Sequence, residues 1–299
     1  MVSVEKRYVL EIKQRTPARW GQERRLEFIE FRLQWEGRVN RGDLVDFFGI
    51  SIPQASVDFA RYRELAPENA TYDVLERAYI ASKSFSPVLL KVSPDDYLTR
   101  LWAVSSGVEA ENSSFLGWKP ETGLVADQAR PVDGEILRTI LAATRDRKIV
   151  RIKYQSVSSS SISCRNISPH ALGFNGSRWH ARAFCHERNA FRDFVLGRVR
   201  EALIQGTSPI DPASDSDWHN MIAAVIVPHP KLSDDQRQII EADYCMTDGK
   251  LILQVQEAML FYNLEHLGLL NDTQNLRKGL ALANRSELKS FYRKHGLLD

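Results

Sequence analysis

The sequence predicts an α+β chain of several domains: a helical N-terminal module closed by a hairpin, a central small β-barrel, and a small C-terminal α/β module. Three observations carry this. Residues 167–199 read as consecutive short strands, 167–172, 178–186 and 190–196, separated by the turns 173–176 and 187–189. Upstream, two short helical patterns flank Gly49, and a hairpin pattern follows them. The charge is also divided. The chain carries a net +2, but residues 130–206 carry +8 and residues 207–299 carry −4.

A length of 299 residues suits two or three domains. No apolar run reaches bilayer length, and the N-terminus is charged, without an apolar signal core. Cys164, Cys185 and Cys245 lie far apart, with no Cys-x-x-Cys pair, which suits free thiols in a reducing compartment. The expectation is a cytoplasmic protein with no membrane partner.

The first helix is expected over residues 16–35, with Thr16 as cap and Pro17 in the first turn. Leu26, Ile29 and Leu33 form its inward stripe, with Phe28 and Trp35, and Gly37 ends it. Val39 sits in a short extended link. Residues 41–48 form a short helix with Leu44, Val45 and Phe48 inward, and residues 51–64 form a second. Ser51 caps that second helix, Gln54 completes a capping box, and Ala55, Val57, Phe59 and Tyr62 supply its apolar side. Two short helices joined by a glycine turn behind a longer helix make a helix-turn-helix. The hairpin of residues 70–80 then reads as a wing, with Arg77 near its tip. The alternative is an ordinary three-helix bundle segment. If the module reads DNA, the start of the second helix enters the major groove. The DNA-contacting candidates are Arg41, Ser51, Gln54, Ser56, Arg61, Arg63 and Arg77. Gln54 suits an adenine edge, and the arginines suit phosphates.

Residues 94–102 form a short helix, and residues 105–123, rich in Ser, Gly and Asn, read as a connector anchored by Trp118. Residues 133–147 are an amphipathic helix with Ile136, Leu137, Ile140 and Leu141 inward. Residues 149–155 alternate as a strand. The serine run 156–163 is a solvated loop or a phosphate contact, but it lacks the glycines and lysine of a P-loop. On the second strand of the central module, alternation puts Arg178, His180 and Arg182 on one face and Trp179, Ala181 and Ala183 on the other. A cationic face with interleaved aromatics suits a nucleotide or a short single strand. A solvated sheet face is the other reading.

A helix, then IVRIKYQS, then the strands of residues 167–199, resembles a WYL domain, an Sm-like β-barrel family of prokaryotic regulators. The likeness rests on Tyr154 and Ser156, Pro169-His170, Gly173, Arg178-Trp179, Phe184-Cys185, Arg188, Phe191-Arg192, Phe194 and Arg198. The name-giving Trp-Tyr-Leu is Trp179-His180-Ala181 here, so an imidazole replaces a phenol. With a winged helix in front, the layout is similar to the repressors associated with bacterial anti-phage systems of the BREX and CBASS type. The resemblance implies a homodimer on double-stranded operator DNA, relieved by a nucleotide or single-stranded nucleic-acid effector. It implies ligand contacts at Tyr154, His170, Arg178, His180, Arg182, Arg188 and Arg192. The implied domains are 1–100, a connector at 101–131, the barrel at 132–206 and a dimerisation domain at 207–299.

In that last segment, residues 221–227 read as a buried strand and residues 233–243 as a helix capped by Ser233. Residues 245–246 and 251–255 read as a hairpin about Asp248-Gly249. Residues 257–267 and 284–295 read as helices.

No catalytic site, metal site or cofactor is expected. His180, Cys185 and His186 lack a second ligand pair that would close a tetrahedral site. No Gly-x-Ser-x-Gly elbow is present, and Asp95-Asp96 and Asp234-Asp235 sit at helix starts, where they serve the dipole. The alternative to a repressor is an accessory single-strand-binding protein or nuclease subunit.

Overall fold

The structure, a computed structural model, describes residues 17–91, 93–125, 131–157, 161–270 and 274–296. Thr16 as a cap, residues 126–130 of the connector and residues 158–160 of the serine run lie outside the described residues. The chain divides into two compact units, Met1–Asp127 and Gln128–Asp299.

In the first unit, α1 (Pro17–Glu36) is followed by β1 (Arg38–Val39), α2 (Arg41–Phe48) and α3 (Ile52–Leu65). Asn40 caps α2 in a capping box with Asp43. Gly49 ends α2 at φ 64, a left-handed conformation that costs little without a Cβ, and so lets α3 start almost at once. Strands β2 (Ala70–Asp73) and β3 (Ala78–Ala81) form the wing. The linking strand β1 adds to it in the order β1-β3-β2, pairing Val39 with Tyr79. Helix α4 (Pro94–Ser105) follows, capped by Ser93 with Asp96. The core holds Leu26, Phe28, Ile29, Phe31, Leu33, Leu44, Phe59 and Tyr62, with Phe59 stacked on Tyr79 at 4.1 Å.

A buried carboxylate locks this unit. Glu30 on α1 accepts the backbone N–H groups of Val88, Leu89 and Leu90 and the Tyr62 hydroxyl, at 2.7–3.2 Å. Burial, and then the Glu30 charge, push the Tyr62 hydroxyl pKa up. The charge of Glu30 is tolerated because every donor converges on it, and the segment after the wing is thereby tied to α1.

The second unit opens with α5 (Gly134–Arg145), capped by Asp133. Strands β4 (Lys148–Tyr154), β5 (Ser163–Phe174), β6 (Trp179–Cys185), β7 (Ala190–Val195) and β8 (Val199–Thr207) follow. They form one antiparallel sheet in the order β7-β6-β5-β4-β8. Among the described residues no ladder joins β7 to β8, so the expected barrel is not closed. Its core packs Ile136, Ile140 and Ala143 of α5 against Val150, Ile152, Ile167, Ala181, Ala183 and Phe194. Leu141, expected inward, is 46% exposed, because Ala143 takes the packing position instead.

The helical turn α6 (Ser216–His219) leads to β9 (Met221–Pro228), α7 (Asp234–Asp243), β10 (Leu251–Gln256) and α8 (Glu257–Leu267). The chain then runs through β11 (Gln274–Asn275), β12 (Leu280–Leu282) and α9 (Lys289–Lys294). The sheet order is β10-β9-β12-β11. Asp248 and Gly249 make the expected tight turn with positive φ, but residues 245–246 do not pair with the strand after it. Strand β10 ladders with β9 instead, Leu251 opposite Ile226, which puts Leu251 and Leu253 against the core. Ser233 and Gln236 form the capping box of α7. Among the described residues no helix is long and apolar enough to cross a membrane.

Candidate nucleic-acid interfaces

Helix α3 presents its first turn through its cap. Ser51 Oγ accepts from the Gln54 backbone N–H at 3.3 Å. The Gln54 side chain does not return to complete a box. Its Nε2 donates to Asp58 Oδ1 at 3.3 Å. Asp58 is fully buried and also accepts from Arg25 at 2.6 and 3.3 Å. A residue on the polar end of α3 is thus an internal anchor between α3 and α1. Val57, expected on the apolar side, is 56% exposed, since Asp58 and Phe59 occupy the inward positions. Ser56 Oγ bonds back to the Ile52 carbonyl. Arg61 is exposed and pairs with Glu64 at 2.8 Å. Arg63 and Arg77 are exposed, and Arg77 adopts φ 52 in the wing turn. Arg41 is half-buried, its guanidinium 5.3 Å from the Tyr72 ring and 6.0 Å from Tyr79, with Nε buried and unpartnered. The candidates left exposed or half-exposed include Ser51, Gln54, Arg61 and Arg63 on one helix, Arg63 on the side opposite Gln54, and Arg77 on the wing.

In the second unit a cavity of about 740 Å³ opens beside β6. The sheet supplies Tyr154, Arg165, Arg178, His180, Arg188, Arg192 and Arg198. The C-terminal part supplies Asp217, Glu257, Phe261, Tyr262, Glu265, Lys294 and His295. Arg165, Arg178, Arg188, Arg192 and Arg198 make no ion pair with any described carboxylate. The Asn175 side chain accepts from the Arg178 N–H at 2.8 Å and fixes the turn before it. Tyr154 spends its hydroxyl oxygen on the Val195 N–H at 3.2 Å, with its ring edge-on to Phe194. Lys294 pairs with Asp217, so the acidic wall is partly neutralised from within.

The floor of the cavity is less open than strand alternation implies. His180 and Arg182 are each 5% exposed, covered by the C-terminal part of the same unit. His180 lies 5.1 Å from the Tyr262 ring, with Nδ1 buried and unpartnered. Burial holds its imidazole pKa below the ordinary value. Arg182 bonds Asp215 and Asp193, whose other oxygen accepts from Tyr262. Burial opposes the charge of Arg182, but Asp215 and Asp193 outweigh it and raise its pKa. Burial and then Asp193 raise that of Tyr262.

His170 is not at the cavity. Pro169 pairs with Ala183 and Ala171 with Arg182, so His170 is an extra residue on β5. The bulge redirects the ring to Asp215, 2.9 Å from Nε2. Gly173 lies where β5 nears α8, and a Cβ there would lie 3.0 Å from Met259 Sδ, so the methionine side chain would have to shift by a few tenths of an ångström. Among the described residues no group of three or more His, Cys, Asp or Glu side chains is arranged to hold a metal ion.

Three family models match the chain. The winged helix-turn-helix domain of the BrxR transcriptional regulator matches residues 21–103, the WYL domain residues 135–204, and the BrxR C-terminal dimerization domain residues 221–288. A DNA-binding transcriptional repressor CapW of Stenotrophomonas maltophilia is 42% identical over 281 residues, 92% of this chain and 93% of that protein. The chain belongs to the CapW repressor family. The CapW of Escherichia coli strain KTE188 is also 42% identical, over 92% of this chain and 93% of its own length. That of Pseudomonas aeruginosa is 42% identical over 93% and 94%.

In this CapW-family chain the cavity gathers six of the seven expected ligand residues: Tyr154, Arg178, His180, Arg182, Arg188 and Arg192. It adds Arg165 and Arg198, which the basic count of the module contained without placing them. The wall from α8 and α9 had no sequence signal, because nothing local says that Glu257, Tyr262 and Glu265 face another module.

Proposed function

We propose that this chain is a homodimeric transcriptional repressor of a phage-defence operon that binds double-stranded operator DNA through its winged helices. A nucleotide or single-stranded nucleic-acid effector in the arginine-lined cavity releases it. The observation that carries the effector half is the convergence of five arginines, none paired with a described carboxylate, on one cavity of about 740 Å³. Unpaired guanidiniums held together repel one another, and a polyanion relieves that repulsion with bidentate bonds. The operator half rests on the matched winged helix and on relatives named as DNA-binding repressors.

In this reading Gln54 leaves Asp58 to meet a base edge, and Ser51 and Ser56 sit at the groove edge. Arg41, Arg61, Arg63 and Arg77 hold phosphates. Tyr154, Arg178, Arg188 and Arg192 touch the effector, while His180 and Arg182 set the shape of its floor and His170, outside the cavity, braces Arg182 through Asp215. The domains run 1–100, 132–206 and 207–299, with a connector at 101–131, and the last supplies the dimer contact.

The test is a gel-shift titration against the duplex upstream of the protein's own gene, with random duplex as competitor. Binding that is specific and dimer-like is expected. Equal affinity for both duplexes would overturn the repressor reading and favour an accessory single-strand-binding protein.

A further inference from the structure

The centre of the outward face of α3 is apolar. Ala55, Phe59 and Tyr62 are buried, and helical spacing puts Pro53, Val57 and Ala60 on the side opposite them, all three exposed. We propose that Val57 is a specificity-determining residue that reads the 5-methyl group of a thymine, so that each operator half-site holds an A·T pair facing it. This rests on the reading that α3 enters the major groove.

The polar side chains of the first two turns are already committed within the chain. Ser51 caps the helix, Gln54 Nε2 donates to Asp58, and the Ser56 hydroxyl donates to the Ile52 carbonyl at 3.0 Å. Val57 is 56% exposed, and it belongs neither to the buried core nor to the apolar residues packed against that core. Ile52 is exposed to a similar degree but stands on the flank of the helix, not at the centre. A β-branched side chain on a helix keeps one rotamer, so the two Val57 methyl groups are presented in a fixed direction. Among the base edges in the major groove, the C5 methyl of thymine is the apolar group. The other groups there are donors and acceptors, which a valine dehydrates without pairing.

The flanks fit the same placement. A helix in the groove lies between two phosphate backbones. The exposed Arg61 and Arg63 stand on opposite sides of Val57, Arg61 on the side of Gln54 and Arg63 on the side of Ser56. Arg61 pairs with Glu64 where both are well exposed, so a phosphate displaces that carboxylate at little cost. Gln54, three positions before Val57, is its neighbour on the helix surface. Gln54 suits an adenine edge, and the partner of that adenine carries the methyl group.

The test is binding of the full-length chain to the duplex upstream of its own gene, made once with thymine and once with uracil throughout, with random duplex as competitor. The two differ only in the C5 methyl groups. The uracil duplex should bind about 15-fold more weakly, from about 4-fold for one buried methyl in each of two half-sites. Single uracils introduced one at a time should trace the loss to one thymine in each half-site. Val57→Ala, at an exposed helical position, should bring the two affinities together and leave the urea midpoint in place, and Val57→Ile should keep the gap. Arg61→Ala should weaken both duplexes alike and keep the gap. Equal affinity of the unaltered chain for the thymine and uracil duplexes, with preference over random duplex retained, would overturn the methyl contact and leave the repressor reading standing. A gap of the same size in Val57→Ala would do the same. No preference for the thymine duplex over random duplex would overturn both.

Discussion

Arg182 holds Asp215 through two hydrogen bonds, Nε to Oδ2 at 2.7 Å and Nη2 to Oδ1 at 2.9 Å, and both side chains are buried. Nη1 of the same arginine reaches Asp193 at 3.2 Å, and the Tyr262 hydroxyl donates to Asp193 at 2.9 Å. Strand β6 is therefore bonded to the segment before α6 and, through Asp193, to α8. A strand whose residues line the arginine-rich cavity is coupled to the C-terminal part by charge, not by apolar contact alone.

Breaking that pair from one side leaves a buried charge unmatched. Asp215→Ala should lower stability by about 3–5 kcal/mol, read as a fall in the urea midpoint of the full-length chain. Removing both charges with apolar residues of similar size, Arg182→Met with Asp215→Leu, should cost much less. An equal loss in the single and double variants would refute the account.

The pH dependence has two windows. Burial alone would push the Asp215 carboxyl up, but hydrogen bonds from His170 and Arg182 outweigh it and hold it well below the usual carboxylate range. A depressed carboxylate contributes stability above its unfolded value, about 3.9, that is lost as pH falls below it. His180 is also depressed, so its neutral form is favoured in the fold. Its contribution is present above about pH 6.5 and falls away as the unfolded chain takes up the proton. Urea midpoints measured from pH 8 to 3 should fall in both windows. His180→Phe should flatten only the upper one and Asp215→Asn only the lower.

In the N-terminal unit, Glu30→Ala should strand three backbone N–H groups and the Tyr62 hydroxyl. A loss of about 3 kcal/mol or more is expected in the thermal or urea unfolding of that unit. Wild-type stability in the variant would show that water replaces the carboxylate.

If α3 is the DNA-reading helix proposed above, Gln54 and Arg63 should behave differently. Gln54→Ala should relax preference at one base pair by about 1–3 kcal/mol across a panel of operator variants. Arg63→Ala should weaken all duplexes alike and reduce the salt slope of binding by about 1. Swapped outcomes would reverse the two roles.

Much of the architecture was legible because it is local. The Ser51 cap, the Gly49 turn, the hairpin after α3, the alternation of β4 and the Ser233 capping box all rest on residues within a few positions of one another. The repeated arginines of 178–200 marked the cationic module for the same reason. Sites also failed locally. Asp58 is locally only a polar residue on α3, and the approach of Arg25, 33 positions earlier, makes it an anchor.

What the sequence by itself determined is the order of modules, the sign of the charge on each, and which strand carries the basic and aromatic residues. Each of these follows from propensity, period and composition along a short stretch of chain. The tertiary structure decided which arginines are free and which are consumed. Arg182 and Arg192 sit on neighbouring strands with the same chemistry, yet Arg182 is neutralised by Asp215 and Asp193, while Arg192 lines the cavity and pairs with no described carboxylate. It also decided, through one inserted residue at His170, that an imidazole expected at the ligand lies in the buried network instead. Such outcomes depend on distances between residues tens of positions apart, and these exist only once the sheet and the C-terminal helices have packed.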